Sequence, residues 1–486
     1  MKRTILTIIL LITTLTYGGH EINWSTSVEF SYSKNIISYI GNIGEENYYC
    51  VFNSSFMKDK LLLFSSTAGK MNEIPKDEIN FSRNSFQEIT IGKQNLYALL
   101  TEDNKENKSF TNLVLQTIDK NTFELKDKKV LFSFPDKRRV ELINSKYNNK
   151  HLVYYFDYTN RMKNKGTIVL NMYDADFNLL WHKTFDNTTS VDLNIRKFCV
   201  TEQGQVIMLS TYGEKNKGLF KKNIKYPESI LLTYFDSESK YNRSLEFNEI
   251  INSINAEMID NQRVLLVFNN ESSLKAFDMN IVTNQTHKVI EQELPNAYFK
   301  RSKVTPQWHV NDILKLDNGN YVVFTKDIFI LDCYTNGSFK AEERYDKNMN
   351  LICFNLDNKN VVYNKTFDRG IAFVNKKGMY EGDYELAYCF SKGNDVYVLF
   401  NNNVKTDLMD GNLTKDVKVM LPKDYKKAVS QLLKINPNGE TQLETIVKGK
   451  EDKTLVATSM CRLLDNGELL LNCRNKKGFI TAKINL

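Results

Sequence analysis

Histidine is scarce in this chain: 5 in 486 residues, at His20, His151, His182, His287 and His309. None falls in an H-E-x-x-H or H-x-H arrangement and none sits beside a cysteine cluster, so no ligand spacing for a metal centre is present. The 7 cysteines include no Cys-x-x-Cys pair, which excludes zinc ribbons and thioredoxin-type redox sites at the level of motif. Gly-x-Ser-x-Gly elbows, Walker loops and dinucleotide fingerprints are missing too. Residues 407–412 (DLMDGN) lack the alternating oxygen ligands and closing Glu of a calcium loop and read as a polar turn. No metal and no cofactor is expected.

Long apolar runs are missing beyond the first residues. Lys2 and Arg3 precede an apolar stretch from Ile5 to Leu15 that is broken only by threonines, and Gly18 and Gly19 follow. This is the pattern of a secretory signal over residues 1–19, too short and Thr-rich to span a bilayer comfortably. The first cysteine, Cys50, lies far from that segment, which argues against a lipid-anchored N-terminus. The remainder, 20–486, is expected to be one exported domain with no membrane span, placed in the periplasm or at the cell surface. Its net charge of +7 is spread along the chain, without the dense basic stripe of a nucleic-acid binder.

Only 7 prolines, with abundant Asn, Lys, Ile and Tyr, suit strands joined by polar turns. One pattern recurs: a turn rich in Asn, Asp or Gly leads into β-branched and aromatic residues. It is found at 47–52 (NYYCVF), 95–100 (NLYALL), 150–156 (KHLVYYF), 204–209 (GQVIML), 262–268 (QRVLLVF), 319–324 (GNYVVF), 393–400 (GNDVYVLF) and 467–471 (GELLL). The copies stand roughly 45 to 75 residues apart. Each is followed by a strand ending in Asp or Asn, a short turn and another strand, as in 173–185 (YDADFNLLWHKTF) and 355–367 (NLDNKNVVYNKTF); weaker copies begin at Asp119, Asp236, Asp278 and Asn436. With a preceding strand, each unit has four strands joined by tight hairpins.

In repeat spacing and turn chemistry the chain resembles secreted bacterial β-propellers in general, across nearly all of 20–486. The resemblance implies an all-β propeller of about eight four-stranded blades, or seven if one unit is split wrongly. The WD dipeptide, the kelch double glycine and the sialidase box are missing at their expected places. The last unit, from about Thr458, offers three strands, while 22–30 (INWSTSVEF) resembles the fourth-strand segment LWHKTF at 180–185. A fourth strand donated by the N-terminus is expected to close the ring.

Cys461 and Cys473 flank a hairpin turn at 465–468 (DNGE), but register opposes a disulfide. A two-residue turn pairs Cys461 with Asn472 and a three-residue turn pairs it with Leu471, so free buried thiols are expected.

Insertions fall in one register, between second and third strands, at 212–228, 327–348 and 401–427; a fourth, 294–310, runs between units. All four should emerge on one face. In the first, Lys217, Lys221 and Lys222 with Phe220 and Tyr226 could grip an anionic polymer, or form a solvated loop. Trp308 and His309 offer an aromatic surface for a sugar, or core. The expected function is a non-catalytic binding or scaffold module engaging a protein or glycan of the cell envelope through these loops. The alternative is a carbohydrate-active hydrolase with carboxylates at the axial funnel, for which Asp312, Glu381, Asp383 and Glu385 are candidates.

Overall fold

The computed structural model describes residues 22–24, 28–29 and 35–486, apart from 56–57, 68–69, 72–78, 82–85, 137, 146–147, 161–164, 188–192, 213–227, 296–306, 336–337, 377–386, 407, 411–417, 421–425 and 475–477. The described residues form eight sheets, each built on an antiparallel meander of four principal strands. Blade 3 shows the pattern: Val140–Asn144, Lys150–Asn160, Lys165–Asp174 and Leu179–Asn187 pair in sequence order. The chain is an eight-bladed, all-β propeller.

All eight apolar repeats become second strands, and their burial explains why they read as continuous runs. Val206–Tyr212 is buried at six successive positions and Arg263–Asn269 likewise. Each second strand is covered on both faces, because adjacent blades pack face to face. Leu265 and Val267 meet blade 6 through Tyr321 and Val323, while Leu266 and Phe268 meet blade 4 through Leu209 and Leu232. Fourth strands lie at the rim; Leu125–Pro135 is exposed at its first six positions.

The turns between third and fourth strands follow one recipe. An Asp or Asn side chain accepts backbone N–H bonds from residues two to four further on, as Asp119 does from Asn121 and Thr122 and Asp174 from Asp176 and Asn178. A left-handed residue completes the turn: Phe123 and Phe177 at φ 58°, Asn284 at 61°, Lys359 at 56° and Gly439 at 84°. Phe177 is no natural choice there, and packing explains it. Its ring is fully buried, stacks on His151 at 4.5 Å and meets Tyr97 at 5.2 Å. In blade 5 the turn starts at Asn280; Asp278 lies within the strand and pairs with Arg263 at 2.5 Å.

Ile22–Trp24 pairs antiparallel with Gly478–Asn485, Asn23 opposite Lys483, so the N-terminal segment occupies the fourth position of the last sheet. That sheet touches the first blade, Phe479 lying 5.2 Å from Tyr49 and 5.9 Å from Phe64. Cys461 and Cys473 are free and buried, with burial pushing the Cys461 thiol up to about 12. A 3-10 turn, Thr458–Met460, interrupts the first strand of this blade, so Cys473 stands opposite Val456.

Candidate functional site

Two regions bring polar groups together: the axis and one elaborated face. First strands of consecutive blades lie against one another and so surround the axis. Four of them carry a bulge, at Ile40, Gln87, Arg196 and Asn311. A bulge breaks the in–out alternation and re-aims side chains, which lets a strand at a crowded axis present polar groups. Lys197 Nζ donates to Asn255 Oδ1 at 2.8 Å, and Asn255 Nδ2 donates to the Asn311 carbonyl at 3.0 Å, which links blades 4, 5 and 6. The Arg462 guanidinium sits 5.7 Å from the Tyr39 ring and 5.9 Å from the Tyr388 ring, joining blades 1, 7 and 8.

Glu88 and Glu141 stand on the first strands of blades 2 and 3. Glu88 reaches solvent, yet the surrounding strands strip enough water to push its carboxyl up to about 7, helped by the Glu141 charge and opposed by Arg139. Glu141 accepts a hydrogen bond from the Tyr154 hydroxyl and lies 3.4 Å from Arg139 Nε. Two carboxyls with different surroundings therefore share this part of the axis. Composition could not single out this pair among 58 acidic residues; the pairing register shifts at Gln87, next to Glu88.

The elaborated face is built by blades 6 and 7. Second, third and fourth strands of blade 6 run to Asn320–Thr335, Ser338–Asn355 and Val361–Lys376, twice the length of their counterparts in blade 5. The expected loop at 327–348 is thus a hairpin of paired strands. Val, Ile, Phe and Tyr through this stretch favour the extended chain, which accounts for the difference. The blade 7 insertion joins the same sheet. Met409–Asp410 pairs antiparallel with Phe367 and Asp368, and Lys418–Met420 pairs in parallel with residues 371–373.

Charges are buried where the blade continues into this outer sheet. Lys326, Asp327, Lys347, Asn348, Asp368 and Arg369 each expose 3% or less. Lys347 Nζ lies 3.1 Å from Asp368 Oδ2, Arg369 Nε donates to the Lys347 carbonyl at 2.8 Å, and Asp327 Oδ1 accepts the Asn348 N–H at 2.7 Å. The pairing register shifts here on two successive strand pairs.

Of the residues singled out from sequence, Lys217, Phe220, Lys221, Lys222 and Tyr226 lie outside the described residues, as do Glu381, Asp383, Glu385 and the segment 1–19 read from sequence as a secretory signal. Trp308 is 2% exposed, packed with Leu265 and Val310, and its indole N–H donates to the Pro295 carbonyl at 2.8 Å. It fills the core between blades 5 and 6 and offers no ring for stacking. His309, its neighbour on the first strand of blade 6, stands opposite Lys326 in register and is half-buried. Asp312 is half-buried on the same strand; burial raises Tyr388 and Cys389, and the Asp312 charge adds to it.

No protein-family model matches the chain, and no curated protein does. Among solved structures it is similar to the WD40 domain of SCAP from fission yeast, at 8% identity over 96% of this chain and 98% of that one, with a TM-score of 0.40. It is similar also to the Dos1 propeller, at 9% identity over 95% of both chains and a TM-score of 0.41. The Nup133 β-propeller domain of Vanderwaltozyma polyspora gives 9% identity over 97% of this chain and 99% of that one, with a TM-score of 0.35. Likenesses of this size carry no argument about function. The blade count rests on the strand pairing itself.

Proposed function

We propose that the chain is an exported, non-catalytic binding scaffold of the cell envelope, which engages a protein or glycan partner through the face elaborated by blades 6 and 7. The observation that supports this most is the outer sheet, to which two blades contribute strands and which stands on a buried ionic junction. A propeller needs no such sheet to pack its core, so the extra chain points to recognition. Connections between second and third strands, and those between blades, emerge at the same end of a four-stranded meander.

A photocrosslinking scan tests this. Benzoylphenylalanine is placed within 338–346 and 418–420, and at Lys128 on the rim. Crosslinks to one defined species from the face, and none from Lys128, are expected. Crosslinks spread evenly over both sets, or none, would sink the proposal.

Glu88 and Glu141 favour a second reading, hydrolysis of a carbohydrate. A carboxyl held up to about 7 can act as a general acid, with the second carboxyl as base or nucleophile. Hydrolysis of aryl glycosides between pH 5 and 8 that is lost in both Glu88→Gln and Glu141→Gln would support it. Absence of turnover by the unaltered chain removes it.

A further inference from the structure

We propose that Arg462 is an axial hook for a carboxylate, through which the axis takes a singly charged acidic sugar; this goes beyond the binding reading above and rests on neither it nor hydrolysis.

Arg462 belongs to the short first strand of blade 8, Arg462–Leu463, which pairs with Leu469 and Leu470. The turn at 464–467 joins these strands and emerges at the end of the axis away from the elaborated face. Just before Arg462, the 3-10 turn Thr458–Met460 brings backbone carbonyls within reach of the guanidinium. Nη1 donates to the Ser459 carbonyl at 3.0 Å and to the Cys461 carbonyl at 2.6 Å. Those two bonds use both hydrogens of Nη1. Nε and Nη2 remain, and that edge of a guanidinium meets a carboxylate with two parallel hydrogen bonds.

The group is also held in place. Its flanking rings, Tyr39 at 5.7 Å and Tyr388 at 5.9 Å, are themselves anchored. The Tyr388 hydroxyl accepts the Leu463 N–H at 3.0 Å. The Tyr39 hydroxyl donates to Asn47 Oδ1 at 3.4 Å, and its ring lies 5.5 Å from that of Tyr49. With these neighbours in place, the Arg462 side chain is still exposed, so water and small solutes reach it. No carboxylate pairs with it among the described residues. A clamped arginine with an unused fork loses little freedom when it takes an anion.

The surroundings select the anion. Burial raises the Cys50 thiol and the Glu88 charge adds to it, and Cys50 stands opposite Ser38, next to Tyr39. Glu88 therefore lies beside the strand of blade 1 that carries Tyr39, on the same arc of the axis as Arg462. Ser38, Gln87 and Glu88 are exposed there and offer donors and acceptors to hydroxyl groups. Glu141, half-buried, stands one blade further on. Carboxyls on this arc oppose a doubly charged phosphate more than a single carboxylate. A uronic acid meets both demands, with one carboxylate for Arg462 and a hydroxylated ring for the polar strand residues.

The probe is methyl glucuronoside, titrated with the full chain and followed by ligand-observed NMR. Its methyl ester, methyl glucoside 6-phosphate and acetylglycine are the controls. We expect the glucuronoside to bind roughly tenfold or more tightly than each of them. Arg462→Gln should lower its affinity to that of the ester while the melting temperature holds, since the side chain is exposed. Equal binding of acid and ester by the unaltered chain overturns the proposal, whatever the variant does. So does a glucuronoside affinity unchanged in a folded Arg462→Gln. Tighter binding of the phosphate would assign the hook to another anion, and a match by acetylglycine would remove the sugar; either overturns it. Glucuronoside binding without turnover of aryl glycosides leaves this inference standing while hydrolysis falls, and crosslinks from the elaborated face bear on that face alone.

Discussion

Two residues separate chemistry from packing. Glu88 holds its proton more tightly in the folded chain than an ordinary carboxyl, because desolvation and Glu141 outweigh Arg139. Its folded value lies above its unfolded one, so the folded state binds more protons between about pH 4.5 and about 7. Stability should therefore fall as pH rises through that window and level off above it. Glu88→Gln removes this dependence. Urea melts should show the variant gaining on the unaltered chain from pH 5 to pH 8; a difference flat across that range would refute the assignment. Trp308 works the other way. Its ring is enclosed by blades 5 and 6, and Trp308→Ala should cost about 3 to 5 kcal/mol in the same melts. A loss under about 1 kcal/mol would mean that the ring is more accessible than its surroundings imply.

At the scale of the element, buried charge is the puzzle. Two carboxylates and three cations within 3% exposure at one junction are a poor way to gain stability, since desolvation offsets much of their attraction. A better account is register. Strands of 16, 18 and 16 residues, rich in β-formers, could slip past one another, and a slip would strand Lys347 from Asp368. Lys347→Met should therefore cost about 3 to 5 kcal/mol, because Asp368 is left buried without that partner. Adding Asp368→Leu should recover most of the loss while amide exchange in 338–346 quickens. Additive losses in the double variant would show that the pair simply stabilises. The sequence pointed to an insertion here and missed its form, since alternating apolar residues looked like loop only because charges at Lys326, Asp327 and Lys347 broke the run.

For the whole molecule, the N-terminal strand is the decisive piece. Residues 22–24 and 28–29 are few, yet they cover the edge of Gly478–Asn485, the strand whose Phe479 also meets blade 1. A chain beginning at residue 35 should melt several degrees lower, exchange faster at 468–485 and associate through the freed edge, as sedimentation would detect. An unchanged melting temperature with a monomeric particle would mean that the face contacts of Tyr49, Phe64 and Phe479 hold the first and last blades together unaided.

Sequence by itself determined the repeat: eight second strands, the Asx turns that follow them, and the N-terminal segment as a fourth strand. These are legible because hydrogen-bonding turn side chains and runs buried on both faces are local requirements, written in consecutive residues. Tertiary structure alone decided three things: that the Glu141 charge acts on Glu88 at the axis, that Trp308 is core, and that the blade 7 insertion adds to a sheet begun in blade 6. Each depends on residues brought together from different blades, 13 to 57 positions or more apart in the chain. Burial, and the electrostatics that follow from it, is a property of that assembly, and no single stretch of sequence contains it.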